Sequence, residues 1–198
     1  MAQTPPNPID SRLLARALEG NETAIAEIWR AWNPPLLRFL RSRHVTEPED
    51  LAQQVWLEVA RKLSDFEGDP DAFRRWIFTL AHRRLIDAAR SERRRPRPAP
   101  LTERGERSTA RFEDEIDGLD WALAVLAQLP DKQATAVGLR ILGGMPVADV
   151  AAIMDEKEST VRVLTHRGLR RIERLLGPGR NSEEPVTPRS VSTLTPIT

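Results

Sequence analysis

The sequence predicts an all-α chain built as two small helical bundles joined by a flexible linker, the second ending in a helix-turn-helix. Three observations predict it. Apolar residues recur every three or four positions in successive segments, the spacing that places them on one side of a helix. A stretch rich in proline and arginine, residues 96–117, has few apolar residues and divides the chain. Near the C-terminal end a short apolar helix, Val147 to Met154, is followed by a break at Asp155 to Glu158 and then by a basic helix, Ser159 to Leu176.

Asp10 or Ser11 caps a first helix carrying Leu13, Leu14, Ala17 and Leu18, which Gly20 ends. Asn21 caps the next, with Ile25, Ile28, Trp29 and Trp32 at helical spacing. Asn33 before Pro34 reads as a restart, an N-cap followed by a first-turn proline, after which Leu36, Leu37 and Leu40 face inward. Thr46-Glu47-Pro48-Glu49 has the pattern of a capping box and opens a helix with Leu51, Val55, Val59 and Leu63 on one side. Trp56 lies off that line, so it is either flank packing, the default, or an exposed anchor for a partner. Ser64 to Asp71 is a loop, and Asp69-Pro70 starts a long helix to about Arg93 whose apolar period runs through Phe73, Trp76, Ile77 and Leu80. The second bundle runs from Leu119: one helix to Leu129, another from Pro130 with Val137, Ile141 and Leu142, a Gly143-Gly144 break, and the helix-turn-helix. In that last helix Val161, Leu164, Leu169, Ile172, Leu175 and Leu176 form the apolar side.

A net charge of +1 on 198 residues says nothing by itself, but its distribution does. Residues 47–71 are mostly acidic, whereas arginines dominate from Arg74 to Arg111. One part suits a basic protein surface and its neighbour suits phosphate. The absence of cysteine excludes disulfides and thiolate metal sites. No apolar run approaches the ~18 residues of a membrane span, so a soluble, cytoplasmic protein without membrane insertion is expected. Residues 1–8 and the tail 178–198, rich in Pro, Ser and Thr, are expected to be disordered.

With these pieces placed, the chain resembles the extracytoplasmic-function (ECF) group of bacterial sigma factors, the two-domain members of the sigma-70 family. EPEDLAQQVWLEVARKL from Glu47 is similar to the family's helix that binds the clamp helices of the polymerase β′ subunit. FRRWIFTLAHRRLIDAARSERRR from Phe73 is similar to the helix that reads and opens the −10 promoter element. LPDKQATAVGLRILGGMPVADVAAIM followed by ESTVRVLTHRGLRRIERLL is similar to the −35-binding domain. The resemblance implies region 2 over residues 10–95, a linker over 96–117, region 4 over 118–177 and a tail over 178–198. The chain departs from the pattern at the turn, Asp155-Glu156-Lys157-Glu158, where Asp155 takes a left-handed position and Ser159 takes over the capping. It departs also at Val163-Leu164 and at His82-Arg83, so the resemblance carries over the fold but not which bases are read.

Core RNA polymerase (β′ clamp helices and β flap), promoter DNA and an anti-sigma factor are the partners so implied, with no cofactor. The expected polymerase surface is Glu49, Asp50, Gln53, Gln54, Trp56 and Leu57. The expected −10 set is Phe66, Arg74, Arg75, Trp76, His82, Arg83, Asp87 and Arg90. Phe66 lies in a loop suited to holding an extruded base, and the arginines suit the strand backbone. The helical spacing of Phe73 and Trp76 also fits core packing, and Asp87 also fits an intrahelical pair with Arg83, Arg84 or Arg90. The expected −35 set is Lys157, Ser159, Thr160, Arg162, Val163, His166, Arg167 and Arg170. Arg162 and His166 suit base edges, while Arg167 and Arg170 suit phosphates.

An enzyme is not expected. His44 beside Glu47, Glu49 and Asp50 lacks the paired helical spacing of a metal site, Gly143-Gly144 is not followed by the Lys-Ser of a phosphate loop, and three scattered histidines offer no catalytic triad. The rival reading is a helix-turn-helix regulator whose N-terminal bundle senses a ligand or partner. A linker of roughly twenty residues, reaching about 60–70 Å, favours the sigma factor, because a compact regulator has no use for that span.

Overall fold

A computed structural model describes residues 7–43, 45–94 and 118–176. The expected N-terminal proline segment, His44, the linker and the tail fall wholly or largely outside them. The described residues form eight α-helices and no strand. Helix α1 is Ser11–Leu18, α2 Glu22–Arg41, α3 Pro48–Lys62, α4 Pro70–Arg94, α5 Gly118–Ala127, α6 Asp131–Ile141, α7 Val147–Met154 and α8 Glu158–Leu176.

Local chemistry sets most boundaries. The Asp10 carboxylate accepts from the Leu13 amide at 2.7 Å, the Asn21 amide oxygen accepts from Ala24 at 2.9 Å, and the Asp69 carboxylate accepts from Ala72 at 2.7 Å. Each satisfies a first-turn N–H that has no intrahelical partner. Gly20, at φ +83°, turns the chain between α1 and α2.

Two expected starts are corrected. Asn33 does not restart a helix, because α2 runs unbroken through Pro34 and Pro35. The prolines delete two amide donors, yet Ile28, Trp32, Leu36, Phe39 and Leu40 stay in phase on one buried stripe, and that burial outweighs the loss. The capping box also does not form. Pro48 occupies the first helical position, so Glu47 stands at the N-cap without a side-chain bond and Thr46 lies one residue too early.

Helices α1–α4 pack around Leu36, Phe39, Phe73, Ile77 and Phe78, all fully buried. Phe78 meets Trp32 and Phe39 edge-on, with ring centroids 6.0 and 5.7 Å away. In the second bundle α8 crosses α6 at Gly168, where a Cβ would stand 2.6 Å from Val137. Ile25, Trp29, Leu169, Leu175 and Leu176, expected to face inward, are instead exposed, as is Ile141. The stripes actually buried are narrower than the apolar spacing suggested.

The two bundles are not separate bodies here. Leu139, Met145, Val150, Ala151 and Val161 join the same continuous core as Phe39 and Phe78. Helix α7 packs on α4, and α6 approaches α2 at Gly138, whose missing Cβ would lie 3.0 Å from the Phe39 ring. Phe39→Ala removes the ring at this junction and is expected to cost about 3–5 kcal/mol of stability by urea unfolding. A loss under about 1 kcal/mol would mean the ring is not a keystone of the core.

Candidate nucleic-acid and polymerase interface

On α3 the exposed side chains Asp50, Gln53, Gln54 and Leu57 recur at helical spacing and so share one face; Leu57 is 50 % exposed. Glu49 is also exposed, but both Nε and Nη2 of Arg41 donate to its Oε1, at 3.0 and 2.7 Å. These bonds, more than charge alone, hold the Glu49 carboxyl below its ordinary value. Trp56 is half-buried, and its indole N–H donates to the Asn33 amide oxygen at 3.0 Å. That is the flank-packing alternative, and it leaves Leu57 as the exposed apolar group of the face. Glu58 ties α3 to α4, accepting from Lys62 at 2.9 Å and from Arg84 at 2.7 Å. The Lys62 bond is the larger of the causes that lower its pKa. Between α2 and α3 an apolar groove of about 450 Å³ is lined by Ile25, Trp29, Trp56 and Leu63 among others.

Helix α4 divides its arginines by phase. Residues 74, 78, 81 and 85 lie on one stripe, and that stripe is buried. Arg74 therefore points inward, only 3 % exposed, its Nη2 forming an ion pair with Asp71 at 3.0 Å and its Cζ lying 6.0 Å from the Trp32 ring centre. It is withdrawn from the expected strand-holding set. Arg75 is exposed on its own helix but donates to Asp149 of α7 at 2.8 Å. Arg83, Asp87 and Arg90 are exposed at i, i+4 and i+7, a continuous polar face. Arg84 pairs with Glu58 rather than with Asp87.

Phe66 stacks on Trp76 at 5.1 Å and meets Phe73 edge-on at 5.1 Å, pinning the loop 64–69 to α4. Phe73 is fully buried and Trp76 half-buried, which is the core-packing alternative for both. Phe66 is likewise half-buried, so its ring already has partners inside the protein. His82 is half-buried, its Nδ1 without a partner among the described residues. Burial first, and the Arg43 charge second, push its pKa below 6.5.

The turn before α8 places Asp155 at φ 53°, ψ 48°, the left-handed cap expected of it. Helix α8 starts at Glu158, however, so Ser159 sits inside its first turn and is not the cap. Ser159, Arg162, Val163, His166, Arg167 and Arg170 are all exposed and follow helical spacing, one outward face, with Lys157 exposed beside it and Thr160 half-buried. Arg162 donates to Glu158 at 2.6 Å and Arg170 to Glu173 at 3.4 Å, both in solvent. Val161 and Gly168 take the buried side.

The sequence reading missed the groups that join the bundles. Arg43 donates to the Asp131 carbonyl oxygen at 3.0 Å and to its carboxylate at 3.1 Å, and Arg75 of α4 donates to Asp149 of α7. The one available signal was Gly138, a glycine inside a helical pattern, which marks a close approach. Among the described residues no helix is long and apolar enough to cross a membrane, and no group of three or more His, Cys, Asp or Glu is placed to hold a metal ion.

Residues 28–95 match the family model described as Sigma-70 region 2, and residues 119–172 match Sigma-70, region 4. The chain is 29 % identical over 177 residues to the ECF RNA polymerase sigma factor ShbA of Streptomyces griseus, covering 82 % of this chain and 93 % of that one. It is 28 % identical over 171 residues to the ECF sigma factor SigD of Mycobacterium tuberculosis, covering 81 % of each. The fold is shared with the sigma factor RpoE of Bartonella quintana, solved with the anti-sigma factor NepR. That likeness has a TM-score of 0.61 at 23 % identity and covers 79 % of this chain and 98 % of the other.

His82 supplies a pH prediction. A histidine whose folded pKa is depressed adds stability that is fully present above the unfolded value of 6.5 and is lost as pH falls through the folded value. Wild-type melting temperature is expected to fall between pH 7.5 and about 5, and His82→Gln to flatten that slope. The carboxylates Glu49 and Glu58, held low, act only below about 4.5, so the two windows separate. An unchanged slope in His82→Gln would remove His82 as its cause. The two matched regions, in order on one all-helical chain, place this protein in the ECF group of the sigma-70 family: it is an alternative sigma factor that initiates transcription with RNA polymerase.

Proposed function

We propose that three surfaces divide the work of a cytoplasmic initiation factor. The face Asp50, Gln53, Gln54 and Leu57 of α3, with Glu49 at its edge, docks on core polymerase. The polar face Arg83, Asp87 and Arg90 of α4, with Arg75, His82, Phe66 and Trp76 at its N-terminal end, meets the −10 element. The outward face of α8, Arg162 to Arg170, with Lys157, Ser159 and Thr160 at its start, enters the −35 major groove. The observation that carries this reading is the α8 face: a continuous exposed stripe of arginine and histidine on the second helix of a helix-turn-helix.

Chemistry separates the roles within each surface. Arg162 and His166 stand in the opening turns, where a recognition helix reaches base edges, whereas Arg167 and Arg170 supply phosphate charge. The Glu158–Arg162 pair is exposed, and such pairs are worth only about 0.3–0.5 kcal/mol, so DNA displaces the carboxylate at little cost. No chemical step falls to the chain, since sigma factors are initiation factors and not catalysts. An anti-sigma factor is the proposed negative partner, supported by the complex in which the Bartonella relative was solved.

Purified chain added to core polymerase is expected to give run-off transcript from a cognate promoter without another sigma factor; a requirement for one would make the chain a conventional regulator. Arg162→Ala is expected to cost about 1–3 kcal/mol of discrimination at one −35 position in a binding selection. An unaltered preference would remove Arg162 from base reading. Asp50→Lys is expected to weaken polymerase pull-down while leaving helical circular dichroism unchanged, and joint loss of both signals would make Asp50 structural.

A further inference from the structure

We propose that the segment before α1 is a strap that positions the −10 loop: Asn7 and Ile9 fix the first turn of α4, and that turn seats residues 64–69. The proposal rests on the reading above, in which Phe66 and its loop meet the −10 element. Residues 7–10 precede those matched as region 2, which begin at 28. Two contacts anchor the strap. Ile9 is buried in the core shared by α1–α4, and the Asp10 carboxylate caps α1. Between them Asn7 is oriented by its own neighbour. Its side-chain oxygen accepts from the Ile9 amide at 3.2 Å, which leaves its side-chain nitrogen to donate to Oδ1 of Asp71 at 3.0 Å.

Asp71 is the joint of this arrangement. The same Oδ1 faces Nη2 of Arg74 at 3.0 Å, and Arg74 is buried against the Trp32 ring. Nε of Arg74 has no partner among the described residues, so Asp71 is the anion that offsets a desolvated charge. Asn7 and Arg74 thus draw on one oxygen, from the strap and from the core. Loop 64–69 depends on this turn because it packs on it without clearance. At Gly68 a Cβ would stand 3.0 Å from Cβ of Ala72 and 3.1 Å from the Phe66 ring. The Asp69 carboxylate caps the turn through the Ala72 amide, and Phe66 stacks on Trp76 one turn further along. A shift of the first turn is therefore passed through Ala72 and Gly68 to Phe66. A site that holds a reacting or extruded group loses function when its supports move by about 1 Å, so residues that touch no DNA govern which base is accepted. Asn7, Asp71 and Arg74 are positioning residues in this sense.

Asn7→Asp sets two carboxylates against each other at the joint and releases the strap. Asn7→Asp combined with Asp71→Asn exchanges donor and acceptor, so that position 71 donates to position 7 while its amide oxygen still faces Arg74. Amide hydrogen exchange over residues 64–69 of the free full chain is expected to speed up in the single variant and to return to the wild-type rate in the exchanged pair. With core polymerase and a promoter library randomised over the −10 element, the single variant is expected to lose about tenfold of its preference at one base position. Polymerase pull-down and −35 preference are expected to stay unchanged, and the exchanged pair to recover the −10 preference. A chain lacking residues 1–7 removes the same group without adding charge and is expected to match the single variant. Unchanged hydrogen exchange in both disrupted chains, or an unchanged −10 preference despite faster exchange, would overturn the proposal. So would an exchanged pair that recovers neither, or joint loss of pull-down and −35 preference, which would make Asn7 a support of the fold at large. Wild type that yields no transcript with core polymerase would instead overturn the functional reading, while hydrogen exchange still decides whether the strap seats the loop.

Discussion

The missing side chain of Gly138 governs how the two halves of this protein meet. Because no Cβ stands there, α6 lies directly on the Phe39 ring, and that approach lets α7 reach α4 and Asp149 reach Arg75. Magnitudes decide which of these contacts holds the arrangement. The ion pairs have one or both partners in solvent, and pairs of that kind contribute about 0–1 kcal/mol. Burial of a single large apolar side chain is worth about 1.5–3 kcal/mol, and several meet at this junction. The apolar contact therefore sets whether the bundles join, and the charges set the register in which they do.

Helix α4 shows how a basic helix can be misread by composition and correctly read by phase. Arg74 and Arg83 carry the same group on the same helix, yet one is buried and the other exposed. Arg74 falls on the stripe that continues through Phe78, Ala81 and Leu85, and a 3.6-residue repeat carries the whole stripe inward together. Asp71 and the Trp32 ring compensate the desolvated guanidinium, as a buried charge requires. Grouping the arginines by their sequence neighbourhood hid this. Counting from Phe78 would have shown it.

The order of helices and the left-handed Asp155 were legible because each rests on local chemistry: caps, prolines and apolar period. Most misreadings came from competition between two local signals or between a local and a distant one. Thr46 and Glu49 have the spacing of a capping box, but Pro48 prefers the first helical position and shifts the start by one residue. Pro34 reads as a helix start, but an in-phase stripe on both sides of it keeps α2 continuous. Leu169, Leu175 and Leu176 are apolar yet exposed, since α8 turns a narrower side, through Val161, Gly168 and Ile172, to its neighbours. The cross-bundle pairs of Arg43 and Arg75 have no local signature at all, because their partners are more than seventy residues away.

What separates an arginine available to DNA from one committed to structure is how cheaply its present partner can be replaced. On α8, Arg162 and Arg170 bind carboxylates of their own helix in solvent, so a phosphate or a guanine edge would substitute for Glu158 or Glu173 with little lost. Arg43 and Arg74 are largely desolvated, and removing their partners would leave a buried charge uncompensated. Arg75 stands between these cases, since its own guanidinium is exposed while Asp149 is mostly buried. Breaking that pair is cheap for the arginine and costly for the carboxylate unless α7 moves away with it. Any anion that displaced Asp149 from Arg75 would therefore have to carry α7 away from α4, so the ion pair and the packing of the two bundles are coupled.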